Sequence, residues 1–167
     1  MVLFQGRKRD KLLRDYSFLR DEQARRRQKA RLTPIACIIK KAMENKKILI
    51  VEDEEAMLSA LKEKLSAAGF EVFEARNGEE GIKMATESKP DAIVLDIVMP
   101  KMNGMEMITK LRSDSWGAKV PVIILTNLGA DDQITAKVAE TEPAYYLMKM
   151  DYSLNDIVEK IKSLFGV

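Results

Sequence analysis

Four short apolar runs follow one another along the C-terminal three quarters of the chain. Each holds four or five residues without a charged residue, and the first three are mostly β-branched or aliphatic. Such runs are typical of strands that are buried on both faces of a parallel sheet. A further segment, 71–75, alternates only weakly between polar and apolar residues, so we predict an edge strand there. The four runs, each predicted to be a buried strand, cover residues 48–51, 92–95, 122–125 and 144–148.

Apolar residues at helical spacing occupy the intervals between these strands. Met57, Leu61 and Leu65 lie on one face of a predicted helix that ends at Gly69. The sequence of residues 77–80 has the form of a capping box and begins the next helix. Further helices are predicted over residues 104–113, 130–139 and 153–165, and 130–139 has the weakest apolar face. Strands and helices therefore alternate five times, which predicts an α/β fold with an open, doubly wound parallel sheet.

The composition excludes several classes of chemistry. The 167 residues include no histidine and one cysteine, Cys37. A Ser/His/Asp triad, a histidine-ligated zinc site and an intramolecular disulfide are therefore impossible. No apolar run approaches the roughly 20 residues that a membrane helix needs. We expect a cytoplasmic protein without a transmembrane segment.

The net charge of +2 combines two parts of opposite sign. Residues 1–41 hold 13 Lys and Arg against 4 Asp and Glu, whereas residues 42–167 hold 15 against 22. This asymmetry is typical of a basic arm attached to an acidic domain. We therefore predict a basic helical extension over residues 1–43 and a separate domain over residues 44–167.

A polar residue stands at the C-terminal end of each predicted buried strand. In a doubly wound sheet, ligands bind beyond the carboxyl ends of the strands, so we expect these side chains to lie close together. Carboxylates that share a site repel one another unless a cation offsets their charge, and magnesium prefers oxygen ligands of this kind. The group suits a phosphoryl group carried on a carboxylate. Its members are Glu52, Asp53, Asp96, Thr126 and Lys149.

At these strand ends the sequence resembles bacterial two-component response-regulator receiver domains of the chemotaxis-receiver-like type. The resemblance covers residues 46–167 and implies a flavodoxin-like fold, a five-stranded parallel sheet in the order 2-1-3-4-5. It is carried by four segments, ILIVEDEE (48–55), IVLDIVMPKMNG (93–104), VIILTN (122–127) and YYLMK (145–149).

The resemblance also implies a role for each site residue. Asp96 would be the phospho-acceptor, and Mg²⁺ would be held by Glu52, Asp53, Asp96 and the backbone carbonyl of Val98. The residues that would contact the phosphoryl group or respond to it are Thr126, Lys149 and Tyr146, and those that would shape the loop after the acceptor are Pro100 and Gly104.

Simpler interpretations remain open for single residues. Glu52 and Asp53 are also typical of an acidic pair at a helix N-terminus, and Thr126 of a turn cap. Lys149 is compatible with a solvated strand end. Tyr146 is compatible with edge-strand packing, and Tyr145 fits the same description.

The sequence departs from the family pattern at two positions. We expect these departures to bear on the lifetime of the phosphorylated state and not on its formation. Met150 stands where the family usually has proline after the strand-five lysine. Asn127 stands where the residue after the threonine is usually small.

The leading functional hypothesis is a phosphorylation switch. A sensor histidine kinase or phosphotransfer protein would supply the phosphoryl group. The fourth helix, the fifth strand and the fifth helix would then change conformation and control an unknown output partner. The protein would not be a turnover enzyme, because it would catalyse only its own phosphorylation and dephosphorylation. Because the sequence ends just after the last predicted helix, we expect a stand-alone receiver.

Two alternative functions share part of this pattern. An aspartate-nucleophile, magnesium-dependent phosphohydrolase also uses an acceptor aspartate, but such enzymes typically place a second aspartate at the position of Val98. A flavodoxin-like nucleotide-binding protein would need a glycine-rich loop after the first strand, whereas residues 52–57 contain no glycine.

The basic segment 7–31 allows several interpretations. It could contact nucleic acid, bind an anionic surface or dock on the acidic domain. Alternatively, residues 1–42 are a misplaced start or a non-native extension, since Leu3-Phe-Gln-Gly6 resembles the core of a viral protease site used in expression vectors, with Arg7 in place of the usual proline.

Overall fold

A computed structural model describes residues 45–128 and 138–166 of the chain. Its five strands form one parallel sheet in the order β2-β1-β3-β4-β5, which confirms the predicted doubly wound α/β fold. The predicted extension over residues 1–43 lies outside the described residues. The strands are β1 (Lys47–Val51), β2 (Glu71–Ala75), β3 (Ala92–Leu95), β4 (Val122–Thr126) and β5 (Tyr145–Met148).

The helices lie between the strands in the predicted places. Gly69 ends α1 in a left-handed conformation (φ 104°), in which its N–H is bonded to the last turn. Most of the predicted helix 130–139 lies outside the described residues, although residues 138–140 are helical. The helices used below are α1 (Glu55–Ala68), α2 (Gly78–Ser88), α3 (Gly104–Arg112) and α4 (Leu154–Ser163).

Side-chain caps mark the beginnings of α2, α3 and α4, whereas α1 begins without one. The predicted cap of α4 is confirmed, because Ser153 and Asp156 form a reciprocal capping box. The capping box predicted at residues 77–80 is only half formed. The Asn77 side chain accepts from the N–H of Glu80, but the Glu80 carboxylate accepts from the N–H of Arg76 instead of that of Asn77.

The core consists of two layers, one on each face of the sheet. Because strand residues alternate in direction, Ile48 and Ile50 of β1 belong to the layer under α1 and α4. Leu49 and Val51 belong to the layer under α2 and α3. Burial of one such Ile or Leu side chain contributes about 1.5–3 kcal/mol. These layers hold the carboxyl ends of the strands in register.

The prediction that all four apolar runs are buried on both faces is wrong for β5. Its Leu147 is buried, but Tyr145, Tyr146 and Met148 are half-buried. The reason is that β5 is an edge strand, which pairs only with β4. Tyr145 packs on the layer under α1 and α4, whereas Tyr146 packs on the opposite layer.

Candidate functional site

The parallel sheet brings the five predicted polar residues to one edge. Glu52 and Asp53 follow β1, Asp96 follows β3, Thr126 ends β4 and Lys149 follows β5. Three of them are held by backbone bonds that extend the strand ladders, and the first of these bonds runs from the N–H of Glu52 to the carbonyl of Ala75 at 3.0 Å. The N–H of Asp96 donates to the carbonyl of Val51, and the N–H of Lys149 donates to that of Thr126, both at 2.9 Å.

Three carboxylates form the acidic part of this edge. One oxygen from each of Glu52, Asp53 and Asp96 lies within 4.8 Å of the others. Glu52 and Asp96 are buried, whereas Asp53 is exposed. Burial raises the pKa of Glu52, and the neighbouring Lys149 only partly opposes this. The cluster therefore needs positive charge close by.

Lys149 supplies that charge. Its Nζ lies 2.7 Å from Asp96 Oδ2 and 2.7 Å from Glu52 Oε2, and only 5% of its side chain is exposed. Burial alone would lower the pKa of Lys149, but its hydrogen bonds to Asp96 and Glu52 outweigh that effect and raise it. A solvated strand-end lysine does not fit this geometry. The direct bond to Glu52 was not predicted from the sequence.

The loop after Asp96 turns tightly under the acceptor. The N–H of Val98 donates to Asp96 Oδ1 at 3.2 Å, and the N–H of Gly104 donates to the carbonyl of Ile97 at 2.9 Å. A Cβ atom on Gly104 would collide with the carbonyl oxygen of Asp96. Pro100 lies exposed within this loop. Gly104 therefore lies against the backbone of Asp96, and the loop-shaping roles of Pro100 and Gly104 stay predictions.

Thr126 and Tyr146 meet at the backbone of Leu128. Thr126 is fully buried, and its Oγ1 accepts from the N–H of Leu128 at 3.2 Å. The hydroxyl of Tyr146 donates to the carbonyl of Leu128 at 2.9 Å. In this conformation Thr126 acts as the turn cap that the sequence left open. The hydroxyl of Tyr145 instead pairs with Ser163 on the other face, so Tyr146 is the one of the two whose hydroxyl meets the loop after Thr126.

An open cleft of about 390 Å³ lies above these groups. Of the two departures from the family pattern, Asn127 borders the cleft, whereas Met150 is 86% exposed and does not line it. Glu54 and Leu128 were not predicted, although each is a close neighbour of a predicted residue. Carboxylate oxygens beside an ammonium suit a hard cation and a phosphoryl group. The lining residues are Glu52, Asp53, Glu54, Asp96, Val98, Asn127, Leu128 and Lys149.

A comparison with protein families matches residues 48–162 to the response regulator receiver domain. The chain belongs to this family. Receiver domains accept phosphate from histidine kinases, generally bind Mg²⁺ at an acidic pocket and act in phosphorylation-dependent signalling. The phosphohydrolase alternative is not favoured.

Curated relatives of the receiver are transcriptional regulators. The chain is 38% identical over 110 residues to the alkaline phosphatase synthesis transcriptional regulatory protein PhoP of Bacillus subtilis, covering 59% of this chain and 45% of PhoP. It is 37% identical over 119 residues to the transcriptional regulatory protein PrrA of Mycobacterium tuberculosis, covering 71% and 49%. The chain thus spans about half the length of the curated relatives that it matches.

Solved structures agree with the family and the fold. One is a DNA-binding response regulator of the LuxR family from Staphylococcus aureus, with TM-score 0.65 and 26% identity over 72% of this chain and 98% of that one. Another is the receiver domain of a signal transduction histidine kinase from Syntrophus aciditrophicus, with TM-score 0.66 and 28% identity over 72% and 90%. Among the described residues, no helix is long and apolar enough to cross a membrane.

Proposed function

We propose that this receiver is a switch whose phospho-acceptor is Asp96. The observation that carries the proposal is the contact between the Asp96 carboxylate and the Lys149 ammonium at the floor of an open cleft. A buried carboxylate that reaches solvent through the cleft can act as a nucleophile, and the adjacent ammonium can balance charge as the reaction proceeds.

The donor set fits a magnesium ion. Glu52, Asp53 and Asp96 provide carboxylate oxygens within 4.8 Å of one another. Val98 borders the same cleft, and its backbone carbonyl would be the fourth protein ligand. When bound, magnesium neutralises negative charge on the phosphoryl oxygens.

The transfer itself needs little more than positioning by the chain. An oxygen of Asp96 attacks the phosphorus of a phosphohistidine on a partner kinase or phosphotransfer protein, and the P–N bond breaks with its electron pair leaving on the imidazole. The N–H of Val98 holds Asp96 Oδ1, and Lys149 holds Oδ2, so the carboxylate is oriented before the donor arrives. The same groups would act in the later hydrolysis, and the chain would catalyse no other turnover.

Leu128 connects the acceptor site to the switch. A phosphoryl group on Asp96 that draws the Thr126 hydroxyl toward itself would break the bond from Thr126 to the Leu128 N–H. The carbonyl of the same residue holds Tyr146. The change would therefore reach β5, and an output partner would bind through 130–139, β5 and α4.

The proposal is tested by labelling with acetyl phosphate in the presence and absence of MgCl₂, read by intact mass. The wild-type chain should gain one acid-labile phosphoryl group in a magnesium-dependent manner, and Asp96→Asn should gain none. Asp114→Asn is the matched control, because Asp114 is an exposed carboxylate in the loop before β4 and should leave labelling unchanged. Undiminished labelling of the Asp96→Asn variant would exclude Asp96 as the acceptor.

A further inference from the structure

The loop between Asp96 and α3 rests on a turn that carries none of the acidic or basic site residues. The N–H of Gly78, the first residue of α2, donates to the carbonyl of Met102 at 3.0 Å. This is a bond between two loops at the carboxyl end of the sheet, one after β2 and one after β3. The position of Met102 is therefore set from outside its own loop.

This approach is close enough to require glycine at position 78. A Cβ atom there would lie 2.7 Å from the carbonyl oxygen of Met102 and 2.8 Å from its Cγ. A left-handed backbone does not explain the glycine, because Gly78 does not have a positive φ. Of the described glycines, Gly69 and Gly166 do. The absence of a side chain at Gly78 therefore serves the contact with Met102.

The turn that carries Gly78 is held by three local hydrogen bonds of Asn77. Asn77 is 3% exposed, and its side chain both accepts from the N–H of Glu80 at 3.0 Å and donates to the Glu80 carboxylate at 2.7 Å. The carbonyl of Asn77 also accepts the N–H of Gly81. A side chain added at position 78 would therefore push against the loop of Met102 from a turn that these bonds hold in place.

Displacement at Met102 reaches the acceptor because the loop is short. Four residues separate Met102 from Ile97, whose carbonyl is tied to Gly104, and Val98 in the same stretch is tied to Asp96. We infer that Gly78 is a positioning residue for the magnesium and phosphoryl site, acting through its bond to Met102 on the loop that carries Val98. This inference rests on the proposed function.

The test compares Gly78→Ala with Gly117→Ala. A Cβ on Gly117 would collide with the backbone oxygen of Leu111, but Gly117 precedes β4 and so lies at the opposite edge of the sheet. Both variants add one methyl group against a backbone carbonyl. Magnesium affinity is measured on the full chain by following amide NMR shifts during a MgCl₂ titration, and phosphorylation by intact mass.

Gly78→Ala should weaken magnesium binding about tenfold, as is typical for changes that misplace metal ligands indirectly. Gly117→Ala should change the affinity less than about twofold, even where it lowers stability as much. Equal affinities for the wild type and Gly78→Ala, or equal losses in both variants, would overturn the inference. A wild-type chain that neither binds magnesium nor accepts a phosphoryl group would instead overturn the proposed function, and the inference with it.

Hydrogen exchange of the wild-type chain provides a second test that requires no folded variant. Saturating MgCl₂ should slow exchange of the Gly78 amide, because an ordered loop holds the Met102 carbonyl in place. The amide of Gly117 should exchange at the same rate with and without the ion. An unchanged rate at Gly78 would contradict the inference even if Gly78→Ala failed to fold.

Discussion

At the scale of single residues, the neighbouring tyrosines of β5 show how position decides the role of a side chain. The hydroxyl of Tyr146 is bonded to a backbone carbonyl inside the loop after β4. The hydroxyl of Tyr145 pairs with Ser163 at an exposed position. Burial raises the pKa of Tyr146. Tyr146 is thus the tyrosine whose hydroxyl is bonded to a residue that lines the cleft.

Replacing Tyr146 by Phe should lower the free energy of unfolding by about 0.5–1.5 kcal/mol, the usual net contribution of one hydrogen bond. Tyr145→Phe is the matched control and should cost less than about 0.5 kcal/mol, because water replaces its partner. Urea denaturation of both variants measures the difference. A larger loss for Tyr145→Phe would contradict the assignment.

The sequence indicated where the site residues lie better than it indicated what they contact. Asp96 and Thr126 could be placed because each follows a recognisable buried strand. The bond between Glu52 and Lys149 could not be predicted, because it depends on how far β1 and β5 each extend at the carboxyl edge of the sheet. Two other strands separate them. The apolar pattern alone did not distinguish Tyr146 from Tyr145, since both faces of the sheet are covered by helices, and only the family resemblance named Tyr146.

At the scale of elements, Asp91 joins the beginnings of two neighbouring strands. Its carboxylate accepts from the N–H of Lys47 in β1 and from the ammonium of Lys46, both at 2.9 Å. Partial burial alone would raise the pKa of Asp91, but these bonds outweigh it and hold the pKa below its ordinary value of 3.8. The charged form is therefore favoured in the folded state.

The stability that Asp91 contributes should depend on pH in a defined direction. Because its folded pKa is depressed, the contribution is complete above the unfolded value of 3.8 and is lost as pH falls through the folded pKa. Asp91→Asn retains one acceptor oxygen and should cost about 1 kcal/mol at pH 6. Denaturation of both proteins between pH 6 and pH 2 measures this, and a difference that grows as pH falls would refute the prediction.

Element boundaries were predicted well where a local signal exists. Gly69 and the Ser153–Asp156 pair mark the ends of helices through their own backbone and side-chain bonds. The cap of α3 by Asn103 and Glu106 was missed, because Asn103 was assigned to the loop motif around the acceptor and Glu106 to the predicted helix, without a bond between them. The half-buried state of β5 follows from sheet order, a property of the fold that no local pattern encodes.

At the scale of the whole molecule, the charge asymmetry divides the chain near residue 42. The core residues that the structure describes extend from Ile48 to Phe165. We propose on this basis that residues 44–167 fold as a receiver domain without residues 1–43. The basic segment 7–31 remains a candidate contact for nucleic acid or an anionic surface, and it lies outside the described residues.

Deletion of residues 1–43 should change the free energy of unfolding by less than about 0.5 kcal/mol, because the described core is intact. Magnesium-dependent labelling should be retained. Binding to nucleic acid or anionic vesicles, measured at two salt concentrations, should be lost if the basic segment is functional. Unchanged, salt-dependent binding after the deletion would rule out that role for the segment.

Lys149 affects how strongly the stability of the fold depends on a divalent ion. Its ammonium is a counter-ion for the two buried carboxylates, Glu52 and Asp96, so we expect the polypeptide to fold without a bound metal. Removing divalent ions with EDTA should leave the melting temperature of the wild type nearly unchanged. Lys149→Met would leave two buried carboxylates uncompensated, so added MgCl₂ should raise its melting temperature far more than that of the wild type. We therefore expect the lysine to keep the acidic centre stable both with and without a bound divalent ion.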